Sequence, residues 1–166
     1  MVRIIGIDPG SNITGYGIIE SDGRKSVHLA SGHIRVKGES LPEKLGVIFN
    51  EVAGLVGEYQ PEQMAIENVF VSKNAGSALK LGQARGAAIC AGVTADLKVS
   101  EYSPREVKLA IVGSGGADKD QVQHMVRMLL GFREPLQADR ADALAIALCH
   151  AHTHLATTNS VWSQVQ

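Results

Sequence analysis

The chain has 166 residues, 45% of them hydrophobic and 20% charged, with a formal net charge of −1. That is one ordinary domain, long enough to bury a sizeable core, which excludes disordered and collagen-like classes. There is no apolar run of about 18 residues, no signal-peptide core ahead of Asp8, and only two cysteines, Cys90 and Cys149, so a chain without a membrane span in a reducing cytoplasm is expected.

The first predicted element is a strand, Ile4-Ile5-Gly6-Ile7, apolar and β-branched enough to be buried on both faces. It ends at the turn signal Asp8-Pro9-Gly10. Tyr16 to Glu20 and Val27 to Val36 read as two further strands, completing an antiparallel meander. Then the period changes. Leu41, Leu45, Ile48, Phe49, Val52, Leu55, Val56 and Tyr59 fall on one helical face, with Ser40 and Glu43 forming a capping box and Pro61 beyond the end.

Met64 to Glu67 is a short apolar strand closing on an acid. Ala75 to Ala95 is a helix rich in small residues, which predicts close approach of another helix or subunit. A strand over Val99–Ser103 and helices over 105–112, 119–130 and 140–155 follow. The order predicts an α/β fold: a five-stranded mixed sheet with helices on both faces. Residues 1–156 form the expected domain and residues 157–166, with Trp162, a disordered C-terminal tail.

Charge is uneven. Residues 73–119 carry seven Lys/Arg (Lys73, Lys80, Arg85, Lys98, Arg105, Lys108, Lys119) against four acids, a net of +3. Such a face suits an anionic substrate at one site, or is simply solvated surface.

Four acids stand out. Asp8 and Glu67 end apolar strands, where a carboxylate is costly unless solvated or paired with a cation. Each is also a common way to open a turn. Asp139 and Asp142 share one helix face, their Cβ atoms about 5–6 Å apart. Alone, they would be an N-cap and a first-turn acid. Converging in space, the four would form a cluster of negative charge that is stable only with divalent metal bound. Mg²⁺ prefers oxygen ligands and shares them with phosphates, and two ions can clamp the attacking and leaving oxygens of a phosphodiester. Metal-dependent nucleic-acid cleavage is the expected chemistry.

Gly6-Ile7-Asp8-Pro9-Gly10-Ser11 with Thr14-Gly15-Tyr16-Gly17, Ala65-Ile66-Glu67 with Val69-Phe70, Ser77 to Gly86, Gln121 to Val126, and Ala138-Asp139 with Ala141 to Ala147 resemble the RuvC family of Holliday junction resolvases. The resemblance runs from about residue 3 to residue 155. It implies a ribonuclease-H-like fold, a homodimer, and Mg²⁺-dependent symmetric nicking of two strands of a four-way DNA junction, leaving 5′-phosphate ends, in recombination and repair. Two Mg²⁺ ions per site are implied, with Mn²⁺ as a substitute. A branch-migration complex of RuvA with RuvB is the implied partner.

Carried over, the catalytic and metal-binding acids are Asp8, Glu67, Asp139 and Asp142. Lys108 and Lys119 match basic positions near the scissile phosphate. Lys73, Lys80, Arg85 and Arg105 would contact DNA phosphates, and Phe70 would stack on an unpaired base. Arg140 is bulkier than the family pattern suggests and should point away from the metal face.

His150, His152 and His154 alternate, but no third ligand completes a zinc site, so they read as surface or interface histidines. His124 is expected to be packed or capping. The rival readings are a sugar-kinase or actin-type ATPase, for which 166 residues cannot supply two lobes, a non-catalytic DNA-binding protein, and a nuclease of RNA or flaps.

Overall fold

The computed structural model describes residues 1–68 and 74–155. Strands β1 (Val2–Asp8), β2 (Ile13–Ser21) and β3 (Ser26–Arg35) form the meander; helix α1 (Leu41–Tyr59) leads to β4 (Gln63–Glu67), and helix α2 (Ala75–Thr94) to β5 (Lys98–Tyr102). Helices α3 (Pro104–Val112), α4 (Lys119–Leu130) and α5 (Ala138–His150) follow, and a π-helical turn over Ala151–Leu155 prolongs α5. The sheet order is β3-β2-β1-β4-β5; the first two pairings are antiparallel, and β1–β4 and β4–β5 are parallel. Among the described residues no helix is long and apolar enough to cross a membrane. Residues 69–73 and 156–166 lie outside the description, so the expectations for Phe70, Lys73, Trp162 and the tail fall there.

Strand alternation divides the core between two faces. Ile5, Ile7, Ile18, Met64 and Ile66 pack with α1 and α2, while Ile4, Ile19 and Ala65 pack with α3, α4 and α5. By the same period of two, Asp8, Gln63 and Glu67 belong to the α5 face. The expected capping box of Ser40 and Glu43 starts α1, and two more, Ser103 with Glu106 and Asp118 with Gln121, start α3 and α4. Helix α5 begins differently: its N-cap is Gln137, with no side-chain cap, so Asp139 sits inside the first turn and does not cap it.

Glycines let α5 lie directly on the strands. A Cβ on Gly6 would overlap the carbonyl oxygen of Ala143 and fall 2.7 Å from the Ala147 nitrogen. One on Gly15 would overlap the Asp139 carbonyl, and one on Gly17 would lie 2.9 Å from the Leu144 nitrogen. Gly6 pairs with Gly17 and Asp8 with Gly15 across β1 and β2, so the smooth patch is continuous up to the carboxylate. On α2, Gly92 meets Met64, whereas Gly82 and Gly86 have open space beyond them within this chain.

The far end of α5 is tied by a polar clamp. His150, expected at the surface or an interface, is fully buried within the chain. Its Nε2–H donates to Gln63 Oε1 at 2.6 Å, and its Nδ1 accepts from the Tyr102 hydroxyl at 2.7 Å. His154 stacks on it with ring centroids 5.1 Å apart, and Lys98 Nζ lies 3.3 Å from His154 Nε2. His124 is exposed rather than packed.

This packing sets two expectations for stability. Gly6→Ala should lose about 1–3 kcal/mol through overpacking against helix backbone, whereas Gly54→Ala, mid-helix in α1 with nothing within 4 Å, should gain about 0.5–1 kcal/mol; urea denaturation measures both. Burial, with His154 and Lys98 nearby, lowers the His150 pKa from 6.5 to about 4. Between those values the unfolded chain binds the extra proton and the folded one does not, so stability should fall as pH drops from 6.5 to 4. His150→Gln should flatten that part of the urea-denaturation pH profile.

Candidate active site

The site is built where the C-terminal ends of β1 and β4 meet the N-terminal turn of α5. Asp8 ends β1 and Glu67 ends β4, and the register pairs Ile7 with Ile66, so the two acids emerge side by side from parallel strands. Asp142 comes from α5, held close by the glycine contacts described above. A cleft of about 200 Å³ is lined by Asp8, Glu67, Asp142, Lys108 and Lys119, with Pro104, Val107, Val122 and Ala145 as its apolar wall. Two acids that end strands, one on a helix and two lysines from separate helices are thus brought together.

Its electrostatics are strained. Burial, then the carboxylates of Glu67 and Asp142, raise the Asp8 pKa from 3.8 to about 8. Burial and then Asp142 also raise that of Glu67, while a hydrogen bond with Asp8 and the charges of Lys119 and Lys108 pull it down. Burial and the neighbouring carboxylates thus favour the protonated form of Asp8 beside Glu67. Lys119 Nζ forms a 2.8 Å ion pair with Asp142 Oδ2, and that hydrogen bond raises the lysine pKa.

Asp139 lies just outside the cleft lining, but its charge acts on both Asp8 and Lys119. Its main chain packs on Gly15. Arg140 turns away, as expected, and its Nε and Nη2 donate to Ser31 Oγ on β3 at 3.2 and 3.1 Å.

The remaining basic residues separate. Lys108 is half-buried in the cleft wall. Lys80 is exposed and lines a different cavity, of about 450 Å³, with Ser11, Asn12, Lys44 and Ser77. Arg105 is exposed, with its stem against Gly115. Arg85 differs from the expected phosphate contact: its side chain is only 15% exposed, Nη2 pairs with Glu101, and Nε donates to the Glu67 carbonyl at 3.0 Å. Charge counting does not distinguish such an internal guanidinium from a solvated one.

The donor chemistry fits a hard divalent cation. The acids offer only carboxylate oxygens, and their burial and mutual repulsion, which raise the Asp8 pKa, mark a place where positive charge is wanted. Among the described residues no three side chains stand close enough to cage an ion by themselves. An open set of this kind suits an ion that keeps water and substrate oxygens in its shell.

Comparison with known proteins agrees with this geometry. The sequence model of one family, crossover junction endodeoxyribonuclease RuvC, matches residues 4–150. The enzyme of that description from Marinobacter nauticus is 60% identical over 152 residues, covering 92% of this chain and 87% of the relative. That from Methylococcus capsulatus is 58% identical and covers 92% of both. Among solved structures, T. thermophilus RuvC in complex with a Holliday junction substrate superposes with a TM-score of 0.89 at 34% identity, covering 95% of this chain and 98% of that one.

Metal-free stability tests the strain. Since Asp8 holds its proton up to about pH 8 when folded but loses it near 3.8 when unfolded, this group makes stability fall as pH rises between those values. In EDTA at pH 8, Asp8→Asn should be more stable than wild type by about 0.5–2 kcal/mol, with the gap closing toward pH 4. Urea denaturation at the two pH values checks this.

Proposed function

The chain belongs to the RuvC family of crossover junction endodeoxyribonucleases, and from that premise we propose how its own residues cut DNA. It is an endonuclease that resolves Holliday junctions by nicking two strands symmetrically, leaving 5′-phosphate ends. The observation that carries the assignment of residues is the convergence of Asp8, Glu67 and Asp142 with Lys108 and Lys119 on one cleft. The ATPase and RNA-nuclease alternatives fall with the family.

Asp8, Glu67 and Asp142, with Asp139 beside them, hold divalent cation, Mg²⁺ by preference and Mn²⁺ as a substitute. Bound there, two such ions would supply an activated water and stabilise the leaving 3′ oxygen. The chain's own contribution is electrostatic and positional. The apolar wall of Val107, Val122 and Ala145 lowers the polarisability on one side of the cleft, so charge there is felt more strongly than in open water. Lys108 and Lys119 place positive charge where the phosphodiester gains negative charge in the transition state. Lys119 is held in place by Asp142, so its ammonium is oriented before substrate arrives.

Binding rests on other residues. Lys80 and Arg105, both exposed, are suited to backbone phosphates. Phe70 and Lys73 belong to the same reading on sequence grounds: an aromatic stacking on a splayed base and a further phosphate contact. A four-way junction offers two equivalent strands, which two copies of this chain would cut in concert. The exposed Leu79 and Val93 of α2 support that helix as the face meeting the second copy. A branch-migration complex, RuvA with RuvB, is the expected partner.

A mobile synthetic four-way junction, incubated with and without Mg²⁺ beside linear duplex, tests the reading. Paired nicks in the junction alone, dependent on metal, are expected. Asp8→Asn, Glu67→Gln, Asp139→Asn and Asp142→Asn should each reduce cleavage to background while junction binding in EDTA persists. A variant that still cuts at the wild-type rate removes its residue from the site.

A further inference from the structure

We propose that Arg85 is a positioning residue for Glu67 and takes no part in holding DNA. The proposal rests on Glu67 belonging to the cleavage machinery. On β4, Met64 and Ile66 face α1 and α2, while Glu67 projects with Ala65 to the α5 side. On β5, Val99 shares the α2 side, and so does Glu101 by alternation. Arg85 rises from α2 and pairs with Glu101 on that face. It therefore backs β4 from the side opposite the carboxylate cleft, and it is absent from the cleft lining.

Its Nε reaches the main-chain oxygen of Glu67 at 3.0 Å. Glu67 is the last residue of β4, and Asn68 N–H donates to the Tyr102 carbonyl at 2.7 Å. The strand end is thus held by two bonds, one from β5 and one from Arg85. Glu101 completes the device by fixing the guanidinium, which is only 15% exposed. A planar fork is suited to this role, because one nitrogen goes to the carbonyl and another to the carboxylate. Without it the end of β4 loses one of its restraints and can shift, and a displacement of about 1 Å at a reacting group can cost 10²-fold in rate.

The test separates cleavage from binding. Single-turnover cleavage of a junction is measured with Mg²⁺, and junction affinity in EDTA between about 50 and 200 mM salt. Arg85→Ala should cut about 10²-fold more slowly, with wild-type affinity and an unchanged slope of log affinity against log salt. Glu101→Ala should slow cleavage about tenfold, a fraction of the loss a full misplacement brings, and Glu101→Gln, which still accepts the hydrogen bond, should restore it.

If Arg85→Ala instead weakens binding and flattens the salt slope by about 0.9, one phosphate contact has been lost and the proposal is overturned. Tighter binding by Glu101→Ala with an unchanged rate, as a freed guanidinium would give, overturns it equally. If Arg85→Ala does not fold, Glu101→Ala decides, because Glu101 is half exposed and its loss leaves the core intact. Glu67→Gln assayed alongside separates the two readings: full activity there ends the assignment of Glu67, and loss there with a wild-type rate in Glu101→Ala ends the role of Arg85.

Discussion

The structure depends on how closely α5 approaches the sheet. An ordinary helix stands off a sheet by the length of its side chains. Here Gly6, Gly15 and Gly17 remove the side chains on the sheet side, and Ala143 and Ala147 are small on the helix side. The helix backbone therefore rests almost on the strand backbone, and its first turn reaches the ends of β1 and β4. Asp142 enters the same cleft as Asp8 and Glu67 only because of that approach. Larger residues at these three positions would leave each acid in place on its own element while spreading the set apart.

Close approach has an electrostatic cost. Carboxylates gathered under an apolar wall repel one another, and the fold answers within its own means. Asp8 keeps its proton, and Lys119 reaches across from α4 to pair with Asp142. Both responses compensate for missing positive charge, and both oppose the stability that a purely apolar corner would give. On the proposed reading of the cleft, stability is given up there for function. The remainder of α5 supplies the compensation: eight consecutive residues, Ala143–His150, are buried, and His150 pins the far end through Gln63 and Tyr102.

Much of this was legible in the sequence, and what was not has a common physical cause. Strand alternation, the change to helical period at Leu41 and the Ser40–Glu43 box follow local rules, so the elements and their order were readable. The four acids were readable as a set because strand ends and a helix face are local properties. The rest depends on which residue of one element meets which of another. Local rules allow Asp139 to be an N-cap, yet it sits two positions inside the helix with its main chain against Gly15, and Gln137 takes the cap without a side-chain bond. Nothing local marks His150 as buried, since its partners are 48 and 87 residues away in the chain. Arg85 looks like any cation of a basic segment until Glu101 and the Glu67 carbonyl are placed beside it.

Strand β4 shows how one short element serves both requirements. Its five residues alternate between two faces, so each face can carry a separate role. Toward α5 it presents Gln63, Ala65 and Glu67, which are a clamp partner for His150, a small residue under the helix and a carboxylate for the cleft. Toward α2 it presents Met64 and Ile66, which fill the opposite core. The cleft end of the strand is where a half-buried acid is under repulsion from its neighbours. In the positioning role proposed for Arg85, a cation behind the strand, bonded to the main-chain oxygen of Glu67 and paired with its own carboxylate, steadies that residue without adding charge to the cleft.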